Sequence, residues 1–193
     1  MSAPTRQVKL KLTLIGEQAV GKTSLVHRFV SHSFDDRYIT TLGFVVSKKT
    51  VNVDLPAGPV VADLIISDIM GKRAFLDLFG DAYFHGTQGV LAVFDVTRKE
   101  TLSTLGEWIA RMQDAVGAFR VVVLGNKIDL ADRRVTTDAD LMAALGGTGP
   151  VDLLYTSAKT GEHVEEAFLR LTRAVLESVM SQAPGTAPGT LAQ

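Results

Sequence analysis

Two glycines, a lysine and a threonine have the spacing of a phosphate-binding loop. Residues 16–23 read G-E-Q-A-V-G-K-T, a full match to the pattern G-x-x-x-x-G-K-[S/T]. In such a loop, successive backbone N–H groups and the start of the following helix form a cradle for an anion. Lys22 is then able to reach the β- and γ-phosphates of a nucleotide, and the Thr23 hydroxyl is able to bind Mg²⁺. The motif predicts a site for nucleotide phosphates.

A second motif, Asn126-Lys127-Ile128-Asp129, closely follows the apolar run 121–124. A carboxylate at the end of a strand can accept two N–H bonds from the edge of guanine. Adenine lacks the ring N–H donor and would leave buried oxygens unpaired, which is costly. Asp129 therefore disfavours an ATP-using enzyme, the alternative that the phosphate loop alone leaves open. The segment 156–159, T-S-A-K, also follows a predicted strand and could place backbone N–H groups on the guanine oxygen.

Strand-like and helical patterns alternate along the chain around these motifs. Period-two alternation and short apolar runs predict strands, and spacings near 3.6 residues predict helices. Two strand-like segments joined by L-P-A-G-P predict an antiparallel hairpin at an edge of the sheet. The predicted strands are 8–15, 45–54, 60–68, 89–94, 121–124 and 151–155, and the predicted helices are 22–30, 102–116 and 164–179. This alternation predicts a three-layer α/β fold with a mostly parallel sheet.

The composition narrows the class of protein. The 193 residues carry a net charge of −1, which argues against a nucleic-acid partner and a polybasic membrane adaptor. The absence of cysteine excludes disulfides, thiolate metal sites and cysteine-borne lipid anchors. No segment resembles a signal peptide or a spanning helix, so a cytoplasmic protein is expected. We expect a frayed N-terminus at 1–7, one domain at 8–180, and a disordered Pro/Gly-rich tail at 181–193.

The motifs together resemble the Ras superfamily of small GTPases, and its Rab branch most closely. The resemblance covers about residues 8–180 and includes A-Y-F-H-G-T-Q-G-V-L-A-V-F-D-V-T at 82–97, which is similar to a Rab pattern. It implies the P-loop GTPase fold (G domain), with a six-stranded sheet, one antiparallel edge strand and about five helices. It also implies a molecular switch that hydrolyses GTP to GDP with Mg²⁺ as cofactor. Without cysteine, the chain is similar to a prokaryotic Rab-like GTPase.

The resemblance also implies roles for single residues. Thr41 would bind Mg²⁺ through its hydroxyl and the γ-phosphate through its N–H. Asp68 would hold Mg²⁺ through water, and the N–H of Gly71 would sense the γ-phosphate. Phe34 and Lys127 would lie on opposite faces of the guanine. The implied catalytic residues are Lys22, Thr41, Gly71 and Lys72; the implied nucleotide-binding residues are Gln18, Ala19, Val20, Gly21, Lys22, Thr23, Ser24, Phe34, Thr41, Gly71, Asn126, Lys127, Asp129, Ser157, Ala158 and Lys159; the implied metal ligands are Thr23, Thr41 and Asp68.

At Lys72 the sequence departs from the family, which has a glutamine there. The glutamine orients the attacking water, a task that needs an amide able both to accept and to donate. A lysine has three donors and no acceptor, so we predict slow intrinsic hydrolysis. There are two alternatives for Lys72. It could point into solvent, or it could act as a cation near the transition-state charge. A GTP/GDP-binding interaction module deficient in hydrolysis is a further alternative.

Two further features bear on regulation and partners. Gln18 occupies a loop position where the family prefers a small residue, and it could crowd an incoming arginine finger, contact the water, or lean outward. By the resemblance, protein effectors and regulators would bind through residues about 35–46 and 69–84. A monomer with no lipid anchor and no nucleic-acid partner is expected.

Overall fold

The computed structural model describes residues 6–34, 43–69, 84–146 and 152–182, and a six-stranded sheet lies at its centre. The strand order is β2-β3-β1-β4-β5-β6. The strands β2 and β3 pair antiparallel at one edge, and all other pairs are parallel. Their bounds are β1 Arg6–Ile15, β2 Phe44–Leu55, β3 Gly58–Ile69, β4 Gly89–Asp95, β5 Arg120–Asn126 and β6 Asp152–Thr156. The predicted mostly parallel sheet with an edge hairpin is confirmed.

Five α-helices and one 3₁₀ helix occur in the part of the chain that the structure describes. The α-helices are α1 Lys22–Ser31, α2 Lys99–Ser103, α3 Leu105–Val116, α4 Asp138–Leu145 and α5 Val164–Gln182, and the 3₁₀ helix is Ile128–Arg133. The number agrees with the expected five helices.

Some bounds differ from the prediction for identifiable reasons. The strand β1 begins at Arg6, inside the segment expected to be frayed, because Arg6 and Gln7 pair in register with Val60 and Val61 of β3. The single helix predicted at 102–116 is two helices that meet at Thr104. The helix α4 was not predicted, although a capping box at its start, Thr137 with Asp140, is a recognisable signal.

The helices cover both faces of the sheet and form two apolar cores. On one face, α1 and α5 meet where the rings of Phe29 and Phe168 stack with centroids 4.0 Å apart. On the other face, Trp108, Ile109 and Met112 of α3 pack against β4 and β5. This is the predicted three-layer arrangement. Within the described residues, the helices are too short or too polar to span a bilayer.

The parallel strands bring the chemical motifs to one edge of the sheet. Gly16 follows β1, Asp95 ends β4, Asn126 ends β5 and Thr156 ends β6. Asp68, near the end of β3, lies beside Leu14 in the register of β1. Because carboxyl ends of neighbouring parallel strands meet, residues far apart in sequence become neighbours there.

Candidate functional site

The phosphate loop turns tightly at two glycines. Gly16 has φ +130° and Gly21 has φ +102°, values that side chains rarely tolerate. A Cβ on Gly16 would lie 2.1 Å from the Val93 carbonyl oxygen, and a Cβ on Gly21 would lie 2.3 Å from Asn126 Nδ2. The loop therefore needs glycine at both positions, for its backbone angles and for space.

Lys22 is buried against its own loop. The Nζ of Lys22 donates to the carbonyl of Gly16 at 2.7 Å and to that of Glu17 at 2.9 Å, and the residue is 6% exposed. Burial lowers the pKa of Lys22 to about 8, although the negative charges of Asp68 and Glu17 oppose the shift. The loop itself thus holds the amine where anionic phosphates are expected.

Thr23 and Asp68 form the oxygen-rich side of the site. The hydroxyl of Thr23 donates to Asp68 Oδ2, and Asp68 is buried. Mg²⁺ prefers such hard oxygens and is commonly held by one or two protein groups together with substrate phosphates. The donor chemistry of this pair fits Mg²⁺. No cluster of three or more His, Cys, Asp or Glu side chains suited to a metal occurs within residues 6–34, 43–69, 84–146 and 152–182.

Asn126 joins the phosphate loop to the segments that follow β5 and β6. Its Nδ2 donates to the Val20 carbonyl at 2.8 Å. Its Oδ1 accepts from Thr156 Oγ1 and from the Ala158 N–H, both at 3.2 Å. The side chain is buried, so these contacts replace its bonds to water.

Asp129 is oriented by a neighbouring loop. The hydroxyl of Ser157 donates to Asp129 Oδ1 at 2.7 Å. One carboxylate oxygen is thereby fixed, and the carboxylate retains the capacity to accept further N–H bonds. A pair of adjacent N–H donors, such as the edge of guanine presents, suits that capacity.

Asp95 is a buried carboxylate that the sequence analysis did not single out. Lys127 Nζ lies 2.7 Å and Arg98 Nε 3.2 Å from Asp95 Oδ2, and Arg98 Nη2 donates to the Gln18 carbonyl at 2.8 Å. Burial alone would raise the pKa of Asp95, but hydrogen bonds from Lys127 and Thr97 outweigh it and lower that pKa. This ion-pair network connects the Asn-Lys-Ile-Asp segment to the phosphate loop.

Two more contacts were missed at the sequence level. The indole N–H of Trp108 donates to Glu17 Oε1 at 3.3 Å, which links α3 to the phosphate loop. Arg28 of α1 donates to the carbonyls of Ala158 and Lys159. Both contacts join segments far apart in the chain, and no local spacing marks them.

Most residues of the implied site lie at this edge of the sheet. Ala19 has the left-handed φ of +64°, Ser24 lies in the first turn of α1, and Phe34 lies near Arg28. Thr41, Gly71 and Lys72 lie outside the described residues. The same holds for most of the segments 35–46 and 69–84, but the start of β2 is described, and there Phe44, Val45 and Val46 are exposed.

Comparison with known proteins agrees with this geometry. A sequence model of the Ras family matches residues 11–177. The Ras-related protein Rab-21 of Geodia cydonium is 34% identical over 89% of this chain and 72% of its own length. The GTP-binding protein YPT1 of Saccharomyces cerevisiae is 34% identical over 89% of this chain and 81% of its own. The Ras-related protein Rab-7b of Homo sapiens is 34% identical over 92% of this chain and 88% of its own.

Proposed function

The chain belongs to the Ras family, on its Rab branch, and is a GTP-binding switch of the small GTPase class, from which we propose that it hydrolyses bound GTP slowly, with Mg²⁺, through the site at the carboxyl edge of its sheet. Hydrolysis to GDP and phosphate would reset the switch. The nucleotide would be bound by the phosphate loop together with Asn126 and Asp129.

The observation that carries guanine selectivity is the carboxylate of Asp129, fixed by Ser157 beside the buried Asn126. Guanine offers the carboxylate a ring N–H and an amino group. Adenine offers no ring N–H, and an acceptor that the bound base shields from water and leaves unmet costs about 1–3 kcal/mol. The backbone N–H of Lys159 would serve the guanine oxygen, since the N–H of Ala158 already donates to Asn126 Oδ1. Phe34 and Lys127 would cover the two faces of the base.

The phosphates of the nucleotide would bind at the same edge of the sheet. Lys22 and the N–H groups of residues 18–24 would bind the phosphates, with the helix α1 starting at the loop. Thr23 and Asp68 would hold Mg²⁺, which when bound neutralises phosphate charge. Thr41 and Gly71 complete the proposed site on the strength of the family resemblance.

Lys72 is the reason for proposing a slow rate. A water molecule about to attack the γ-phosphate must donate one of its O–H groups to an acceptor, and an ammonium offers donors only. A module that binds GTP or GDP and scarcely hydrolyses is the second candidate, and it rests on the same lysine.

Effector binding is proposed for the start of β2, the outer strand of the hairpin. Three consecutive apolar side chains, Phe44, Val45 and Val46, are exposed at the start of β2. They fall inside the segment 35–46 expected to contact partners. Exposed neighbouring apolar groups are typical of a protein-binding surface.

Single-turnover hydrolysis of γ-labelled GTP with Mg²⁺ tests the proposal. We expect release slower than about 10⁻⁴ s⁻¹, the rate typical of small GTPases without a partner. The variant Lys72→Gln should release phosphate faster, whereas Lys9→Gln, on the exposed start of β1, should match the wild type. Asp129→Asn should lose GTP affinity. No release at all would favour the binding module, and a Lys72→Gln variant no faster than wild type would contradict the role given to Lys72.

A further inference from the structure

Arg28 of α1 spans the gap between the first helix and the loop after β6. Its Nε donates to the Ala158 carbonyl at 2.8 Å, and its Nη2 donates to the Lys159 carbonyl. A third N–H, on Nη1, donates to the His32 carbonyl at 3.3 Å. A planar guanidinium with fixed donors suits this arrangement, and a single ammonium does not.

The bond to Ala158 orients the N–H of the next residue. A carbonyl and the following N–H belong to one planar unit and point in opposite directions across a trans peptide bond. No cis peptide bond occurs in the described residues. When Arg28 holds the Ala158 carbonyl toward α1, the Lys159 N–H must therefore point away from α1. That N–H is the one proposed for the guanine oxygen.

The bond to Lys159 acts on the next peptide plane in the same way. The N–H in that plane belongs to Thr160, and it donates to Ser157 Oγ at 3.1 Å. Ser157 Oγ in turn donates to Asp129 Oδ1 at 2.7 Å. A chain of hydrogen bonds thus leads from the guanidinium to the carboxylate proposed to bind the guanine edge.

Arg28 also lies near the residue proposed to cover one face of the base. Its guanidinium carbon is 5.9 Å from the centroid of the Phe34 ring, at the outer limit of a cation–π contact. Gly161 lies beside the same arginine, since a Cβ added to Gly161 would be in van der Waals contact with Arg28 Cδ at 3.6 Å. The arginine therefore hydrogen-bonds one wall of the proposed base site and lies near the other.

We propose that Arg28 is a positioning residue for guanine specificity, acting through the Ala158–Lys159 peptide on the N–H that binds the guanine oxygen. The inference rests on the proposed function, because it assumes that guanine occupies this edge. Arg28 does not touch the base. It fixes the direction of a backbone donor, and its removal lets that peptide plane rotate.

Nucleotide analogues separate this effect from a general loss of structure. In 6-thio-GDP the guanine oxygen is replaced by sulfur, a weak acceptor, while the ring N–H and the amino group remain. IDP keeps the oxygen and the ring N–H and lacks the amino group, so it reports on Asp129. Dissociation constants of GDP, 6-thio-GDP, IDP and ADP are measured at pH 7 for wild type, Arg28→Gln, Arg28→Lys and Arg170→Gln. Arg170 makes surface ion pairs on α5 and is the matched control.

For the wild type we expect 6-thio-GDP to bind about tenfold more weakly than GDP, the effect of one hydrogen bond. In Arg28→Gln the dissociation constant of 6-thio-GDP divided by that of GDP should fall toward one. The dissociation constant of IDP divided by that of GDP should change by a smaller factor. Arg28→Lys should recover little, because one ammonium cannot hold both carbonyls. Arg170→Gln should behave as wild type.

Several outcomes overturn the inference. An Arg28→Gln variant that weakens GDP and 6-thio-GDP equally would assign the arginine a merely structural role, and so would an unchanged ratio or full recovery with lysine. A wild type indifferent to sulfur would also overturn it. If Arg28→Gln does not fold, the ratio in Arg28→Lys decides. A wild type that binds ADP as tightly as GDP contradicts the proposed function itself, a result distinct from all of these.

Discussion

The side-chain amide of Asn126 donates a 2.8 Å hydrogen bond to the carbonyl of Val20, across 106 positions of the sequence. Through its oxygen, the same amide accepts from Thr156 and Ala158. One buried side chain thereby ties the phosphate loop to both segments proposed to bind the base. Loops that would otherwise move separately are held as one unit.

Replacing Asn126 by alanine should destabilise the protein and weaken nucleotide binding together. The change leaves buried partners unsatisfied, at about 1–3 kcal/mol each, and we expect a loss of about 3 kcal/mol in the free energy of unfolding. Urea unfolding of the nucleotide-free protein measures it. The control is Asn52→Ala on the exposed side of β2, which should cost under about 0.5 kcal/mol. Equal losses for the two variants would refute the role of Asn126.

Gly16→Ala should be far more damaging than Gly58→Ala. Both glycines have positive φ, +130° and +114°, so both variants incur backbone strain of about 1–3 kcal/mol. Only at Gly16 would the new Cβ meet a backbone oxygen, at 2.1 Å, whereas nothing lies within 4 Å of it at Gly58. The difference in unfolding free energy between the variants isolates the close approach. Similar values would show that the loop can shift away from Val93.

The single tryptophan should report on the phosphate loop. Trp108 is 4% exposed, and its N–H donates to the Glu17 carboxylate in that loop. We expect its fluorescence to change when GDP binds, and expect the change to shrink in Glu17→Ala, because the hydrogen bond is lost. Glu165→Ala, at the exposed start of α5, is the matched control. An undiminished signal in Glu17→Ala would mean that Trp108 senses nucleotide by another route.

Asp140 should contribute stability that disappears in acid. Hydrogen bonds from Lys99 and from the N–H and hydroxyl of Thr137 lower the pKa of Asp140 to about 2. The native state therefore binds fewer protons than the unfolded chain between the ordinary value of 3.8 and about 2. This stability is complete above pH 4 and is lost as the pH falls toward 2.

Melting temperatures of wild type and Asp140→Asn from pH 6 to pH 2 check that sign. The gap between them should be constant above about pH 4 and should narrow below it. Asp114→Asn, on the exposed side of α3, should show no such narrowing. A gap that widens in acid would contradict the assignment.

The sequence predicted those parts of the fold that depend on local pattern. Alternation located β1, continuous apolar runs located β4 and β5, and a Pro/Gly turn located the hairpin. The helix α4 escaped because its pattern is ambiguous: Met142 is 72% exposed, and Leu145 is buried. The helix predicted at 102–116 breaks at Thr104, two positions before Gly106, and a single glycine inside a helical pattern does not by itself predict a stop.

In the site, too, residues in a local motif could be predicted, whereas residues joined only by contacts between distant segments could not. Lys22 and Thr23 were found because a contiguous motif carries them. Asp95 and Arg98 were not, since their partners Lys127 and Gln18 are brought near only by the order of the strands. Arg28 and Glu17 were missed for the same reason. A contact across 80 or more positions leaves no periodic trace in a single sequence.

The two hydrogen bonds that Lys22 makes to its own loop mean that its charge is removed from water when the chain folds, and not when the nucleotide binds. The amine is already dehydrated before any phosphate arrives, so nucleotide binding meets a prepared cation. The folded chain without nucleotide bears that cost instead, and bound nucleotide stabilises the folded chain by mass action. We therefore expect the empty protein to be the least durable form in its cycle. A partner that ejects the nucleotide would have to support the fold while the site is vacant, acting in effect as a chaperone.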